Sequence, residues 1–246
     1  MSNFENKTAI ITGGTRGIGK GITLSLLKDG ATVIATYANN DKAAEEFKTE
    51  FPEYKERLFT KKFDVSKPES CESFFDEITG QFEQIHILVN NSGIRKDSLG
   101  ASMSEDMWDQ VLDTNLKGSF FMSKLAILHM MKKRYGRIIN ISSIGGSLGL
   151  PGQANYAASK AGQIAISKSL SKEVAKRGIT INNVCPGFIE TELLDDLDPT
   201  LIKEYKSQVP MKRFGKVEDV ASAVKFLASD EASYITGTSI EVSGGL

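Results

Sequence analysis

Thr8-Ala-Ile-Ile-Thr12-Gly13-Gly14-Thr15-Arg16-Gly17-Ile18-Gly19 is the stretch that decides the fold. Thr8 to Thr12 is a short, nearly continuous apolar run, as a strand buried on both faces requires. Four glycines follow within seven positions, and then Ile18, Ile22, Leu26 and Leu27 recur at helical spacing as far as Asp29. Gly30 beyond them suits the left-handed residue that ends a helix. A strand, a glycine turn and a helix N-terminus in this order form an anion site. Backbone N–H groups and the helix dipole point at one place, and glycines let a diphosphate come close. A tight strand-to-helix turn without a ligand is the other reading of the same residues. Three residues and then one separate Gly13, Gly17 and Gly19, which is not the common dinucleotide fingerprint.

The same alternation continues outward. Ala31 to Tyr37, Leu58 to Phe63, Ile85 to Val89, Arg137 to Ser143, Ile179 to Val184 and Thr238 to Val242 read as further strands. Between them, Asp41 to Phe51, Ser66 to Phe82, Ser104 to Arg134 with room for a break, Asn155 to Arg177, Glu192 to Gln208 and Val217 to Ala228 read as helices. Ser66 suits an N-cap, with Pro68 and Glu69 in the first turn. Gly30, Gly136 and Gly178 each stand between a helix and a strand, and Gly136 is the expected C-cap of the helix before it. The pattern predicts an α/β fold: one Rossmann-type, doubly wound parallel sheet of about seven strands with helices on both faces, as a single domain over residues 1–246.

Composition narrows the function. The chain has 246 residues, 40% apolar and 25% charged, with a net charge of −1. No global field draws in nucleic acid or a membrane. Met1 to Lys7 lacks the apolar core of a signal peptide, and no apolar run reaches the length of a membrane span, so a cytoplasmic protein is expected. Cys71 and Cys185 lie far apart and form no metal or redox spacing, so no metal is expected. His86 alternates with apolar residues in a strand and reads as structural.

The chemistry is expected between Ser143 and Lys160. Tyr156 and Lys160 share a helix face, four positions apart. A phenol titrates near 10, and a nearby ammonium lowers that value, so the pair makes a general acid/base. A partly solvated helix face is the alternative for the pair alone. Ser143 stands at the carboxyl end of a strand, where open α/β sheets bind ligands, and Ser142 competes with it. Asn115, in Asp113-Thr-Asn115-Leu-Lys-Gly118, sits mid-helix against its propensity.

Thr12-Gly-Gly-Thr-Arg-Gly-Ile-Gly19, Asn90-Asn-Ser-Gly93, Ser143, Tyr156-Ala-Ala-Ser-Lys160 and Pro186-Gly-Phe-Ile-Glu-Thr191 come in this order, and together they resemble the short-chain dehydrogenases/reductases. Thirteen positions separate Ser143 from Tyr156, as in the family's nearest members. The resemblance spans essentially the whole chain. It implies a catalytic tetrad. Ser143 would hydrogen-bond a substrate carbonyl, and Tyr156 would transfer the proton. Lys160 would lower the Tyr156 pKa and bind the nicotinamide ribose, and Asn115 would hold a water beside the lysine. It also implies a dinucleotide along Gly13, Thr15, Arg16, Gly17, Ile18 and Gly19, at Asp64 and Val65 for adenine, and at Asn91, Ser92 and Gly93. Pro186, Gly187, Ile189 and Thr191 would lie beside the nicotinamide. Ser92 stands where the family has alanine. Glu192 to Gln208 matches a mobile substrate-covering segment. An NAD-selective site places an acid at the end of the second strand. Here Tyr37-Ala-Asn-Asn40 carries none before Asp41, and Arg16 stands ready for a 2′-phosphate, so NADP(H) is the expected cofactor.

Within the family the likeness is to 3-oxoacyl-acyl-carrier-protein reductases of fatty-acid synthesis, which implies an acyl-carrier protein as partner and a homotetramer. Arg134 and Arg177 match the carrier-docking arginines, and with Lys132, Lys133 and Lys176 they suggest a basic patch near the site. Cations that complement helix C-termini are the simpler reading of those residues. A coenzyme A thioester such as acetoacetyl-CoA, a small ketone, or dinucleotide binding without catalysis remain open.

Overall fold

The computed structural model describes residues 4–191 and 199–246. Its strands are β1 Thr8–Ile11, β2 Thr32–Tyr37, β3 Leu58–Lys62, β4 Ile87–Asn90, β5 Gly136–Ile141, β6 Ile179–Pro186 and β7 Ser239–Val242. They form one seven-stranded sheet in the order β3-β2-β1-β4-β5-β6-β7, every neighbouring pair parallel. Strand order reverses between β1 and β4, which opens a crevice at their carboxyl ends.

Alternation along each strand feeds two cores. Ala9, Ile11, Val33, Ala35, Ile87, Val89, Ile139, Ile141 and Val184 belong to one cluster, with Ile22, Leu26 and Leu27 of α1 (Gly17–Lys28) and Val220, Val224 and Leu227 of α9 (Val217–Ala228). Ile10, Ile34, Leu88, Ile138, Ile179 and Ile181 belong to the other, with Phe74, Phe75 and Ile78 of α3 (Pro68–Gln81) and Met122, Ala126 and Met130 of α5 (Gly118–Lys133). Each fully buried aliphatic side chain is worth about 1.5–3 kcal/mol of apolar transfer, so both faces of the sheet must be covered.

The remaining helices complete the covering. α2 is Asp41–Glu50, its N-terminus capped by Asn40, whose side chain accepts from the Ala43 N–H. α4 is Glu105–Leu112, capped in the same way by Ser104. A widened π turn, Asp113–Lys117, separates it from α5, which is the break expected in that helix. α6 is a single turn, Gly145–Leu148, not foreseen from sequence. α7 is Ala154–Val174, and the run to Arg177 finishes as a 3-10 turn. Of Glu192 to Gln208, α8 spans Pro199–Gln208, and residues 192–198 lie outside the described residues. Among the described residues no helix is long and apolar enough to cross a membrane.

Two local expectations need correction. Ser66 is not the cap of α3: its N–H and hydroxyl both bond to Asp64 Oδ1, at 2.9 and 2.7 Å, and the helix begins at Pro68 with Lys67 as cap. Gly136 does not end α5 but opens β5; the left-handed residue there is Arg134, at φ 52°. Gly136 is needed for room instead, because a Cβ would stand 2.3 Å from Met130 Sδ.

Candidate active site

The loops after β1, β4, β5 and β6 meet over the crevice, and hydrogen bonds tie the first two together. Thr12 Oγ1 accepts from the backbone N–H groups of Asn91 and Ser92, both at 2.9 Å. The Asn91 amide donates to the carbonyls of Thr12 and Gly13, both at 3.0 Å. Asn91, expected at the cofactor, therefore spends both amide protons on bracing the glycine loop. Thr23 Oγ1 holds the Gly14 carbonyl from the first turns of α1, at 3.0 Å. Thr12 and Thr23 were not singled out from sequence; a hydroxyl at the end of an apolar run was the signal for Thr12.

Gly13 and Gly17 have φ of 62° and 51°, a left-handed conformation that suits glycine. The N-terminus of α1 carries no side-chain cap and no acid in its first turn, so its N–H groups face the crevice with positive potential. Among the described residues a Cβ on Gly17 would meet only Thr191 Cγ2, at 3.9 Å. The loop after β6 thus reaches across to the glycine turn. Ile189 in that loop is buried and bridges to Gly215. Asp64 and Val65 lie after β3, Val65 buried and with its carbonyl against Gly118.

Beside the glycine turn a surface hollow is lined by Thr15, Arg16, Lys20, Asn40, Glu46 and Glu50, among others. Lys20 is paired with Glu50 at 2.6 Å. Asp41, the first acid after β2, is bound to Lys62 at 2.7 Å, and that hydrogen bond holds its carboxyl below the usual carboxylate range.

Ser143 lies two residues past the end of β5, and its Oγ accepts from the Gly145 N–H at 3.0 Å. The Ser143 side chain also acts on the Tyr156 phenol, pulling its pKa down. A Cβ on Gly145 would stand 3.3 Å from Ser143 Oγ and 3.6 Å from the Tyr156 ring, so Gly145 keeps the face open in front of both hydroxyls. Ser142 is excluded from this pair: it is buried and donates to the Lys160 carbonyl at 2.9 Å. Asn155 orients the start of α7, donating to the carbonyls of Lys96 and Met107 and accepting from the Tyr156 N–H.

Lys160 is 3% exposed, and its Nζ donates to the Ile141 carbonyl at 2.8 Å and to Gln163 Oε1 at 3.3 Å. Burial pulls its pKa down to about 8. The Tyr156 phenol moves the other way. Burial holds it above its ordinary value, against the pull of Ser143 and Arg95. The expected lowering by Lys160 is thus not what this arrangement produces. The ammonium stands 5.6 Å from the ring centroid and is turned toward Ile141 and Gln163.

Asn115 lies in the π turn, fully buried. Its amide is spent on neighbours: Oδ1 accepts from the Ile94 N–H, and Nδ2 donates to the Ile94 carbonyl and Ser159 Oγ. Its backbone carbonyl accepts from Gln163 Nε2 at 2.9 Å and from Ser119 Oγ at 2.7 Å. Gln163 is the residue sequence reasoning missed, since a glutamine in a long helix reads as solvated. Cys185 is buried, and burial pushes its thiol up, which makes it an inert neighbour.

The Arg134 guanidinium donates to the Lys176 carbonyl at 3.0 Å and so ties the ends of two helices together. Within one chain these residues lie away from Ser143. Arg134 and Arg177 precede β5 and β6, whereas Ser143 and Gly187 follow them. β5 has six residues, so at ~3.3 Å each the patch lies about 20 Å from the carboxyl ends.

Comparison with known proteins agrees with this geometry. A family model described as Enoyl-(Acyl carrier protein) reductase matches residues 13–246. A protein of Salmonella typhimurium named 3-oxoacyl-(acyl-carrier-protein) reductase is 46% identical over 244 residues, 99% of this chain and 98% of its own. Proteins of the same name from Staphylococcus epidermidis and Staphylococcus aureus are 44% and 43% identical, each aligned over 98% of this chain and 99% and 98% of their own. With the parallel sheet, the glycine turn and the paired hydroxyls in one crevice, these matches show that the chain belongs to the short-chain dehydrogenase/reductase family of oxidoreductases.

Proposed function

We propose that the protein reduces a 3-oxoacyl thioester, carried on an acyl-carrier protein, to the 3-hydroxyacyl thioester with NADPH. The observation that carries the reading is that Ser143 and Tyr156 stand together beside Gly145 at the carboxyl end of the sheet, where their two hydroxyls can meet one oxygen. A bound nicotinamide dinucleotide would supply the hydride. Negative charge then grows on the substrate oxygen, and placed donors stabilise it. Burial keeps the Tyr156 phenol protonated at neutral pH, which is the state a proton donor needs for reduction. Lys160, at about 8, is still mostly an ammonium at pH 7. Ser143 holds the carbonyl, Tyr156 delivers the proton, and Lys160 and Asn115 support them from below.

The residues present fit a dinucleotide. The left-handed Gly13 and Gly17 and the uncapped end of α1 make a cradle for a diphosphate. NADP(H) is favoured because Arg16 lines the hollow next to this cradle while Asp41 is engaged by Lys62. The relatives' shared name supports the 3-oxoacyl group and its carrier. The family description names a different reaction, reduction of an enoyl group. Two hydroxyls converging on one oxygen favour the carbonyl. NADPH and NADH oxidation against 3-oxoacyl and enoyl thioesters, each on carrier protein and on coenzyme A, tests the reading. Turnover of 3-oxoacyl substrates alone supports it, and turnover of enoyl substrates alone overturns it.

A further inference from the structure

Gln163 sits three positions after Lys160 on α7 and is 1% exposed. Its amide has no freedom of orientation. One N–H goes to the Asn115 carbonyl at 2.9 Å, which can only accept. The other goes to Ser119 Oγ at 2.7 Å, whose own proton is already given to the same carbonyl. Turning the amide over would set its oxygen against the Asn115 carbonyl and its N–H groups against the Lys160 ammonium, so Oε1 must face Lys160 Nζ, at 3.3 Å.

We propose that Gln163 is a positioning residue of the reaction: its amide joins the Lys160 ammonium directly to the Asn115 carbonyl. The inference rests on the reading of Tyr156 and Lys160 given above. Both lone pairs of the Asn115 carbonyl are taken, by Gln163 and Ser119, so the link between Asn115 and Lys160 runs through an amide. Two titratable groups face the ammonium, Tyr156 on the same helix and Cys185 on β6. Both are held above their ordinary values by burial and are neutral near pH 7. Asn115 and Gly93 face it without charge. Two oxygens, Ile141 O and Gln163 Oε1, therefore hold the buried ammonium.

The test uses two variants that move the ammonium in opposite directions. Gln163→Leu removes one of the two oxygens and lowers the Lys160 pKa by about one unit, whereas Gln163→Glu sets a carboxylate beside it and raises it. The first readout is the lysine 13Cε NMR titration of the cofactor-free protein, with the Lys160 signal identified by its loss in Lys160→Arg. The second is the basic limb of kcat/KM for a free 3-ketoester, which should move down in Gln163→Leu and up in Gln163→Glu. Opposite shifts in both readouts support the assignment, and a general loss of packing does not produce them. Titrations within about 0.3 units of wild type in both variants overturn it, as do shifts in the NMR titration with an unmoved activity limb. Tyr156→Phe keeps the two failures apart. If that variant turns over like wild type, the reading of the site itself is wrong; if it is inactive while the Gln163 titrations stay put, only the Gln163 assignment falls.

Discussion

Replacing Gly19 with alanine should disable dinucleotide binding and destabilise the fold, because the first turn of α1 has no room for a methyl group. A Cβ at Gly19 would stand 2.1 Å from the Gly13 carbonyl oxygen and 2.6 Å from Asn91 Nδ2. Ordinary contact begins near 3.4 Å, so the oxygen must retreat by 3.4 − 2.1, or about 1.3 Å, in a loop that leaves little slack. The move breaks the Asn91 to Gly13 hydrogen bond and strains its twin to Thr12, both 3.0 Å now. Two neutral hydrogen bonds contribute about 1 kcal/mol each, and overpacking adds roughly 1–3 kcal/mol. Alanine returns about 0.5–1 kcal/mol through its better helix propensity. The net loss is about 2–4 kcal/mol, or roughly 5–15 °C in Tm for a chain of this size. Thermal unfolding measures the first effect, and NADPH fluorescence titration measures the second, expected as a loss of more than tenfold in affinity. Gly80→Ala on α3 is the control, since a Cβ there meets nothing within 4 Å among the described residues; it should leave both unchanged or raise Tm slightly. If Gly19→Ala melts within about 2 °C of wild type and binds NADPH within about twofold, then α1 does not press on the glycine turn as described, and the argument fails.

Three further outcomes follow from single features. Arg16→Ala should raise the KM for NADPH by about 10–100-fold, the worth of one charge-assisted contact, and leave that for NADH nearly unchanged; an unaltered cofactor preference refutes the role. His86 should make the fold acid-labile. Its Nδ1 accepts from the Thr8 N–H at 3.0 Å, and burial pulls its pKa from 6.5 to about 4. The unfolded chain takes up the proton first, so the stability His86 contributes is complete above pH 6.5 and is lost as pH falls through 4, about 3 kcal/mol at most over that window. Urea unfolding of His86→Asn between pH 4 and 7 should show a shallower slope than wild type, and equal slopes refute the assignment. Arg134→Glu with Arg177→Glu should leave turnover of a free ketoester within about twofold of wild type, because the patch lies a sheet length from Tyr156; a larger loss there contradicts the placement.

Much of the fold could be read from the chain because strands buried on both faces announce themselves. Thr8 to Ile11 and Ile87 to Asn90 are apolar runs too short for helices, and Gly30 and Gly178 take the left-handed φ expected after a helix, at 99° and 70°. Local competition was harder to read. Ser66 looked like a cap until Asp64 claimed both its donors, and Arg134 took the left-handed turn expected at Gly136. Such outcomes depend on which partner lies in reach, and residue type alone does not say that. The basic patch shows the same limit at larger scale. Arg134 reaches the Lys176 carbonyl, but within one chain the direction of β5 and β6 sets both at the end of the sheet away from Ser143.

The deepest gap concerns α7, the helix that carries the chemistry. Its buried residues are Asn155, Ser159, Lys160, Gln163, Ser167, Ser171 and Val174, so its inner face is almost entirely polar. A reading that looks for an apolar stripe finds no inside on such a helix. The sheet beneath explains the inversion. Asn90, Asn140 and Asn183 stand in register across β4, β5 and β6. Asn90 donates to Asn140, Asn140 donates to Ser167 Oγ, and Ser167 donates to Asn183 Oδ1. Gln163 closes the same network on the Lys160 side. Buried polar groups are costly unless partnered; Asn90 Oδ1 finds no partner among the described residues, but the bonds named above join the rest, and such a network is stiff because each bond fixes the orientation of the next. A helix held by hydrogen bonds rather than by apolar contact cannot roll or slide without breaking several at once. That rigidity suits a helix that must keep the Tyr156 phenol and the Lys160 ammonium fixed over a crevice open to substrate, and it accounts for polar side chains where packing alone would have chosen leucine.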